Sequence, residues 1–312
     1  MKRVVVTGGA GFIGRWVVQA LLDEGASVIV LDDFSNGSEA NLADLAGDSH
    51  LNVVEGSIHD PAAVARTFAS RPELVLHLAA KINVQNSIDD PIGTYEPDVV
   101  GTLRILEATR EAGAPFLFMS SCMVYGAAGD EPIAEDHPVR PASPYAASKL
   151  AGEQLTVSYG IAYGHPVTVV RPFNTYGPFQ RADGEGGVVA IFCERALAGR
   201  EIHIFGDGTQ TRDLLYVGDC AEFVLHAARA KGARGELLNA GTGRDVTVND
   251  LAAAVGGGGG TRHVEHPHPQ AEIARLVCDP RKAERLLGWR PQTTLEQGIA
   301  ATKEWLSTKA LQ

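Results

Sequence analysis

Residues 3–32 read RVVVTGGAGFIGRWVVQALLDEGASVIVLD and decide the fold. An apolar run at residues 4–6 leads into the glycine-rich turn at residues 7–14, and apolar residues then recur with helical spacing as far as Leu21. This order predicts a strand, a tight turn and a helix, because so close a turn needs residues without a Cβ atom. The free N–H groups at the start of such a helix suit a pyrophosphate.

The second apolar run, at residues 27–31, ends in Asp32. A carboxylate at the end of the second strand, about 20 residues after the glycines, suits the adenine ribose hydroxyls and repels a 2′-phosphate. The pattern therefore predicts a dinucleotide site that prefers NAD. A glycine-rich turn that binds nothing is the alternative, and the strand, helix and acid together disfavour it.

Length and charge narrow the class of protein. The chain has 312 residues, which favours one large domain and a smaller one. Its net charge of −11 argues against a nucleic-acid partner. No apolar run reaches the roughly 18 residues of a membrane span, and the first strand begins too early for a signal peptide. We therefore expect a cytoplasmic protein without a membrane partner, whose four cysteines are reduced.

Strand-like and helix-like segments alternate through the first half of the chain. This rhythm predicts an α/β fold, a Rossmann-like doubly wound parallel sheet with a smaller C-terminal α/β substrate domain. Strands are predicted at residues 51–55, 74–78, 115–119 and 167–170, and helices at 61–69, 99–112 and 144–159, with a kink or a restart at Pro97. We expect residues 1–172 to form the NAD-binding domain, with 213–243 returning to it through strands at 214–217 and 236–239, and residues 173–212 and 244–312 to form the nucleotide-sugar-binding domain.

Three histidines lie close together at His263, His266 and His268. Pro267 and Pro269 interrupt them, and no regular element fixes their spacing. A solvated loop explains them better than a metal site, so no metal is predicted.

Tyr145 and Lys149 lie four residues apart within the predicted helix 144–159, so they share one face. An ammonium near a tyrosine favours the phenolate and lowers the tyrosine pKa, and a phenolate can take a proton from a sugar hydroxyl. The strand at 115–119 is followed by Ser120 and Ser121 at the sheet edge where open α/β sheets bind ligands. We expect Ser121 to hydrogen-bond the oxygen that Tyr145 deprotonates. The alternatives are an amphipathic helix with a surface lysine, and serines that cap a strand.

Six motifs follow one another along nearly the whole chain, at residues 7–14, 77–80, 120–126, 145–149, 171–174 and 206–213. Together they resemble the extended short-chain dehydrogenase/reductase family, specifically its nucleotide-sugar 4-epimerase branch. The motifs at 171–174 (RPFN) and 206–213 (GDGTQTRD) are the narrower ones, and they are similar to those of enzymes that act on nucleoside-diphosphate sugars.

The resemblance implies a set of cofactor and substrate residues. The catalytic residues would be Ser121, Tyr145 and Lys149. NAD would be held by Gly8, Gly11, Phe12, Ile13, Asp32, Asn36, Ile58, Ala79, Ala80, Tyr145, Lys149 and Pro172. A UDP-sugar would meet Ser121, Asn174, Arg181, Val189, Phe205, Arg212, Leu276 and Asp279. Arg212 suits the diphosphate, since a guanidinium fork matches phosphate oxygens, and Phe205 would lie near the uracil. Taken alone, Arg212 would be a surface ion-pair residue and Phe205 a packing residue.

Three positions depart from the family pattern. Ser57 stands where an aspartate is usual near the adenine, and Asp98 where an asparagine is usual beside the active site. The arginine often found upstream of Asp279 has no clear equivalent, because His268 or Pro269 falls there.

Three functions compete under this resemblance. A 4-epimerase inverts C4 of the sugar through a 4-keto intermediate. A dehydratase or decarboxylase needs an extra acid–base after the catalytic serine, where this chain has Cys122 and Met123. A non-catalytic NAD-binding regulatory protein would typically lack the tyrosine or lysine. The resemblance also implies a homodimer built from the helices at 99–112 and 144–159.

The choice of sugar depends on Arg181. Relatives that act on UDP-glucuronate carry an arginine seven residues after the position of Asn174 and bind the C6 carboxylate with it. Those relatives usually have threonine in place of Asn174, and residues 184–189 resemble the neutral-sugar enzymes. The middling bulk of Leu276, at the position that gates N-acetyl groups, decides nothing. The first expectation is epimerisation of UDP-glucuronate to UDP-galacturonate, with UDP-glucose or UDP-N-acetylglucosamine as alternatives and a surface arginine as the plain reading of Arg181.

Overall fold

The computed structural model describes residues 2–126, 129, 131–182, 187–265 and 274–309. The strands are β1 (Arg3–Thr7), β2 (Ser27–Asp32), β3 (Leu51–Glu55), β4 (Leu74–His77), β5 (Phe116–Met119), β6 (Val167–Pro172), β7 (Asn174–Tyr176), β8 (Ile202–Phe205), β9 (Thr211–Arg212), β10 (Leu214–Tyr216), β11 (Leu237–Ala240), β12 (Val246–Thr247), β13 (Thr261–Val264) and β14 (Arg275–Leu276). The helices are α1 (Phe12–Asp23), α2 (Pro61–Phe68), α3 (Val84–Asp89), α4 (Pro91–Tyr95), α5 (Thr102–Ala112), α6 (Pro144–Tyr163), α7 (Val188–Leu197), α8 (Val217–Arg229), α9 (Val248–Val255), α10 (Arg281–Leu287) and α11 (Leu295–Lys309).

Seven parallel strands form the central sheet in the order β11-β6-β5-β4-β1-β2-β3. Chain order reverses between β1 and β4, which are direct neighbours. In an open α/β sheet, the crevice beyond the carboxyl ends of such strands is where ligands bind. The predicted Rossmann-like α/β fold is confirmed, and its switch point lies next to the glycine-rich turn.

Side-chain alternation along β1 supplies both faces of the sheet. Val4 and Val6 lie in one buried cluster with residues of α1 and α8, whereas Val5 lies in the other with residues of α2 and α5. Because successive side chains of a strand point to opposite faces, one short valine run anchors both layers. Fully burying each valine stabilises the fold by roughly 1.5–3 kcal/mol.

A third buried cluster lies outside these two layers and includes Tyr176, Val189, Ile202, Leu251 and Ile299. Residues of β7, β8 and β10 lie in it, and the remaining strands form three small sheets with the orders β10-β7, β12-β9-β14 and β13-β8. This cluster builds the part of the protein that lies beyond the sheet.

Two expectations about the second half of the chain need correction. Only the later of the two expected returning strands, β11, joins the central sheet, whereas β10 pairs with β7. Ala283 of α10 and Trp289 pack in the first cluster with Phe223. Residues 281–289 therefore lie with the central sheet rather than with the expected domain of 244–312.

The helical segment around Pro97 changes its geometry, as the sequence predicted. It passes from α4 through a π-helical turn, Glu96–Gly101, into α5. Helix α6 runs four residues beyond its predicted end and stops at Gly164, whose φ of 62° suits a glycine cap. Among the described residues, no helix has the length and apolar character needed to cross a membrane.

Candidate active site

The glycine-rich turn leaves no room for a side chain at Gly8 or Gly14. A Cβ atom on Gly8 would lie 2.6 Å from the nitrogen of Ala79, and one on Gly14 would lie 2.0 Å from the Gly8 carbonyl oxygen. Gly8 also has a φ of 72°, which glycine adopts without strain. No described side chain caps α1, so the first-turn N–H groups of Phe12 and Ile13 lack a capping acceptor, and uncapped helix starts are suited to anions.

Asp32 ends β2 and is buried. Its two carboxylate oxygens accept hydrogen bonds from the N–H groups of Ala10 and Phe34, each at 2.9 Å. Burial raises the pKa of Asp32, and these two bonds oppose the rise. The carboxylate is thus fixed directly beside the glycine-rich turn, with lone pairs left for ribose hydroxyls.

The remaining predicted cofactor residues lie along the same edge. Asn36 donates from Nδ2 to the Ala80 carbonyl at 2.6 Å, which ties the loop after β2 to the loop after β4. The Ala79 N–H donates to Thr7 Oγ1 at 3.3 Å. Ile58 is buried in the second cluster, and Pro172 ends β6 opposite Ala240. Together with the uncapped helix start, this arrangement fits a dinucleotide.

Ser121, Tyr145 and Lys149 meet at the carboxyl end of β5. Ser121 follows β5, whereas Tyr145 and Lys149 occupy the first two turns of α6. Helix α6 begins there because Ser143 caps the N–H of Ala146 at 3.2 Å. All three catalytic candidates are buried, and a Ser121 hydrogen bond acts on the Tyr145 hydroxyl.

The electrostatics of Tyr145 differ from the expectation. Burial raises the pKa of Tyr145 well above its ordinary value, the Ser121 bond opposes this, and the Asp98 carboxylate and Cys122 add to it. The expected fall of this pKa towards neutrality is therefore wrong for the protein alone. Spacing along a helix predicts an ammonium on the same face but does not reveal the desolvation that raises this pKa.

Lys149 is buried with two carboxylates in its field. Burial lowers the Lys149 pKa, and Asp98 and Glu153 oppose the change. The Lys149 ammonium also lies 4.8 Å from the centre of the Phe118 ring. Glu153 is in turn bound by Arg171, through two bonds of 2.6 and 2.7 Å.

Three predicted substrate residues border this cluster. The positive charge of Arg212 lowers the pKa of Cys122, the residue after Ser121. Leu276 pairs with Arg212 between β14 and β9, and it packs with Cys122 in a fourth buried cluster. Asn174 begins β7, and its buried Nδ2 has no hydrogen-bond partner among the described residues. An unsatisfied buried donor of this kind is expected where a ligand supplies the acceptor.

The other predicted substrate residues are placed less centrally. The Val189 side chain is buried in the third cluster, so the group that Val189 can offer to a ligand is its backbone N–H in the first turn of α7. Phe205 and Arg181 are exposed. Asp279 lies in a separate cavity of about 440 Å³ beside β11, where its carboxylate binds Arg281. The Asp279 carboxylate thus has a cation beside it, and its contact with a substrate stays a prediction.

Parts of two predicted segments fall outside the described residues. They are 184–186 of the glycine-rich segment after Arg181, and His266 and His268 of the histidine cluster. The remaining histidine, His263, contacts the carbonyl of Gly206 at 2.9 Å.

Two carboxylates, Asp98 and Glu153, act on Lys149 although the sequence pattern did not predict this role. In the sequence, Asp98 is only a departure from the family pattern, yet its buried carboxylate accepts a hydrogen bond from Ser148, which lies between the two catalytic candidates of α6. Glu153 belongs to none of the six motifs. Its place one helical turn after Lys149 was the available signal, because residues four apart on a helix are neighbours.

The chain is similar to known proteins in sequence and in fold. A family model described as the NAD dependent epimerase/dehydratase family matches residues 4–241. The UDP-glucose 4-epimerase of Mycolicibacterium smegmatis is 40% identical over 312 residues, which cover 99% of each chain. The X-ray structure of Pal from Bacillus thuringiensis has a TM-score of 0.95 and 48% identity, covering 99% of this chain and 100% of that one. The UDP-glucose 4-epimerase of Thermus thermophilus, solved in complex with NAD, has a TM-score of 0.89 and 36% identity, covering 98% and 99%.

Proposed function

The chain belongs to the NAD-dependent epimerase/dehydratase family, and we propose that it inverts C4 of a UDP-sugar through a 4-keto intermediate. The enzyme is an isomerase and its cofactor is NAD. The observation that carries the proposal is the convergence of Ser121, Tyr145 and Lys149 at the end of β5. These are the groups that removal of a hydroxyl proton requires.

The proposed roles follow from the contacts of each side chain. Tyr145 takes the proton of the sugar 4-hydroxyl and later returns it, and Ser121 holds the same oxygen by a hydrogen bond. Lys149 supplies positive charge behind Tyr145. Bound NAD would supply the hydride chemistry at C4 of the sugar. Gly8, Gly11, Phe12 and Ile13 would hold its pyrophosphate, Asp32 its adenine ribose, and Asn36, Ile58, Ala79, Ala80 and Pro172 would line the rest of its site.

The residues after Ser121 favour epimerisation over elimination. Cys122 is buried and burial raises the pKa of its thiol to about 12, so the thiol stays protonated. Met123 has no titratable group. Neither residue can act as the additional acid–base that a dehydratase or decarboxylase needs. The regulatory alternative is disfavoured because Ser121, Tyr145 and Lys149 are all present.

For the substrate we propose a UDP-sugar whose diphosphate is bound by Arg212. Its guanidinium suits phosphate oxygens, Phe205 offers an exposed ring for the uracil, and Asn174 offers a buried donor that no described residue engages. Leu276 and the backbone of Val189 would complete the pocket. Asp279 stays a proposed substrate residue, with its carboxylate paired to Arg281.

Among the sugars we propose UDP-glucose first and UDP-glucuronate second. This reverses the order expected from the sequence, because the exposure of Arg181 weakens the case for a closed carboxylate pocket. The Mycolicibacterium smegmatis relative, at 40% identity, carries the name UDP-glucose 4-epimerase. Arg181 itself keeps UDP-glucuronate as the second candidate.

We also propose a homodimer that buries the outer face of α5 and α6. Val100 and Leu103 are exposed at the start of this face, and Ile161 and Tyr163 at its other end. A groove of about 700 Å³ runs beside it between α2 and α5. Exposed apolar side chains spread over one face commonly mark an interface. Sedimentation at micromolar concentration should give twice the chain mass, and a Leu103→Glu variant should sediment as the monomer.

The division of labour between the two halves is likewise a proposal. The central sheet would bind NAD, and the part built on the third buried cluster would bind the nucleotide sugar. Both halves would contribute to the crevice at the end of β5 and β6.

The test of function is the mass and the configuration of the product. The purified enzyme is incubated separately with UDP-glucose, UDP-glucuronate and UDP-N-acetylglucosamine, and each product is separated by chromatography and weighed by mass spectrometry. An epimerase gives a new isomer of unchanged mass. Loss of water or of carbon dioxide, or no conversion of any of the three, would contradict the proposal.

A further inference from the structure

The Asp98 carboxylate lies buried behind the catalytic face of α6. Its Oδ1 accepts the Lys81 N–H at 2.7 Å, and its Oδ2 accepts the Ser148 hydroxyl at 2.7 Å. The π-helical turn Glu96–Gly101 carries this residue into the core, where 2% of its surface is exposed. Asp98 thus touches the helix that bears Tyr145 and Lys149, yet the proposed reaction leaves it without a role.

A directed series of hydrogen bonds fixes the backbone of Asp98. The Thr102 hydroxyl donates to the Asp98 carbonyl at 2.5 Å, so it accepts from Nε2 of His77 at 2.9 Å. His77 then accepts the Thr7 hydroxyl at Nδ1, 2.6 Å away. Burial lowers the His77 pKa to about 3, so the ring is neutral and only positions the turn.

The charges around Lys149 leave Asp98 as its counter-ion. The two carboxylates that act on Lys149 are Asp98 and Glu153. Arg171 already neutralises Glu153 through a bidentate ion pair. Lys81, half-buried on the loop after β4, also lowers the pKa of Asp98. Of the two carboxylates near Lys149 in the described part of the chain, Asp98 is the one that no arginine binds through two hydrogen bonds.

Tyr145 faces the same carboxylate. The groups that act on it are Ser121 and Cys122 after β5, and Asp98 from the π-helical turn. Cys122 stays a neutral thiol, because burial raises its pKa to about 12. Among these groups, Asp98 is therefore the negative charge in the field of the proposed base.

We propose that Asp98 is a positioning residue that neutralises Lys149 and thereby sets the pH range over which Tyr145 exchanges its proton. This inference rests on the proposed function, because a role for Asp98 in catalysis requires that Tyr145 is the base. A carboxylate near a phenol opposes formation of the phenolate, and the same carboxylate keeps a buried ammonium protonated. Removing its charge should therefore move the titrations of both groups to lower pH.

The test is Asp98→Asn, which keeps the size of the side chain and an acceptor for the Lys81 N–H. The pH profile of kcat/KM is measured on the NAD-loaded enzyme. Asp98→Asn should move the acid and alkaline limbs to lower pH by about one unit. Ser148→Ala is the matched control, because it removes a hydrogen bond to Asp98 and leaves the charge. Its limbs should stay at the wild-type pH, whatever its maximal rate.

A second readout needs no turnover. Tyrosine labelled with carbon-13 at Cζ is titrated by NMR in the NAD-loaded protein, and Tyr145→Phe identifies the signal. The Tyr145 titration should move to lower pH in Asp98→Asn, and in Asp98→Ser if the amide variant does not fold. An unmoved Tyr145 titration, or a uniformly lower rate with unmoved limbs, would overturn the proposal. If no UDP-sugar is converted, the proposed function fails while the NMR titration still tests Asp98.

Discussion

Arg171 and Glu153 form a bidentate ion pair in the core, with N–O distances of 2.6 and 2.7 Å. Arg171 lies on β6 and Glu153 on α6, one turn after Lys149. The Arg171 guanidinium also lies 4.5 Å from the centre of the Tyr125 ring. The pair thus joins the catalytic helix to the strand whose end, Pro172, borders the predicted cofactor crevice.

Removing one member of this pair should destabilise the protein strongly. Glu153→Gln leaves Arg171 as an uncompensated buried cation, and the free energy of unfolding should fall by about 3–5 kcal/mol. Denaturant unfolding followed by circular dichroism measures this. The control is Glu24→Gln, which breaks an exposed pair with Arg229 and should cost less than about 1 kcal/mol. Equal losses in the two variants would contradict the structural role.

Tyr145→Phe should nearly abolish turnover and leave the fold intact. The phenol is the proposed base, and loss of general-base action lowers kcat by about two to four orders of magnitude. Tyr159→Phe, on the same helix, removes a hydroxyl that donates to Glu107 and should keep the wild-type kcat. Steady-state rates of both variants are compared, with thermal melting as the check on folding. A Tyr145→Phe enzyme that retains half the wild-type rate would rule out this assignment.

The sequence predicted the features of the fold that depend on the local residue pattern. The strand, glycine-rich turn, helix and Asp32 occupy one continuous segment, so spacing alone predicted these elements and their order. The parallel direction of the strands followed from the alternation of strands and helices, because a helix between two strands provides the crossover that parallel pairing needs. The resemblance also supplied Ser121, Tyr145 and Lys149, which the fold brings together.

What the sequence could not predict depends on contacts between distant segments. Ser148 and Asp98 lie 50 residues apart, and the π-helical turn brings them within 2.7 Å. The pairing of β10 with β7 and the packing of α10 on the sheet are also tertiary choices, without a periodic signal. The raised pKa of Tyr145 arises from burial, which residue spacing does not reveal.

The cofactor extracted from the purified protein should be NAD rather than its 2′-phosphorylated form. The buried carboxylate of Asp32 accepts from ribose hydroxyls and repels a phosphate. Asp32→Asn should narrow the preference for NAD, measured as the ratio of the two dissociation constants. Asp33→Asn is the control, because it removes the same charge from a side chain that binds Ser35. Extraction of mostly the phosphorylated cofactor, or equal changes in both variants, would contradict the role of Asp32.

Arg181→Ala should separate the two candidate sugars. Arg181 lies two residues after Phe179, whose ring packs against Arg15 and Trp305. If Arg181 binds a C6 carboxylate, the variant raises KM for UDP-glucuronate about tenfold, equivalent to about 1.4 kcal/mol of lost ion pairing. KM for UDP-glucose should not change, because a neutral hydroxymethyl group makes no such pair. Arg200→Ala, which removes an exposed arginine paired with Glu194, should change neither value. Equal effects of Arg181→Ala on both substrates would remove UDP-glucuronate as a candidate and leave the neutral hexose.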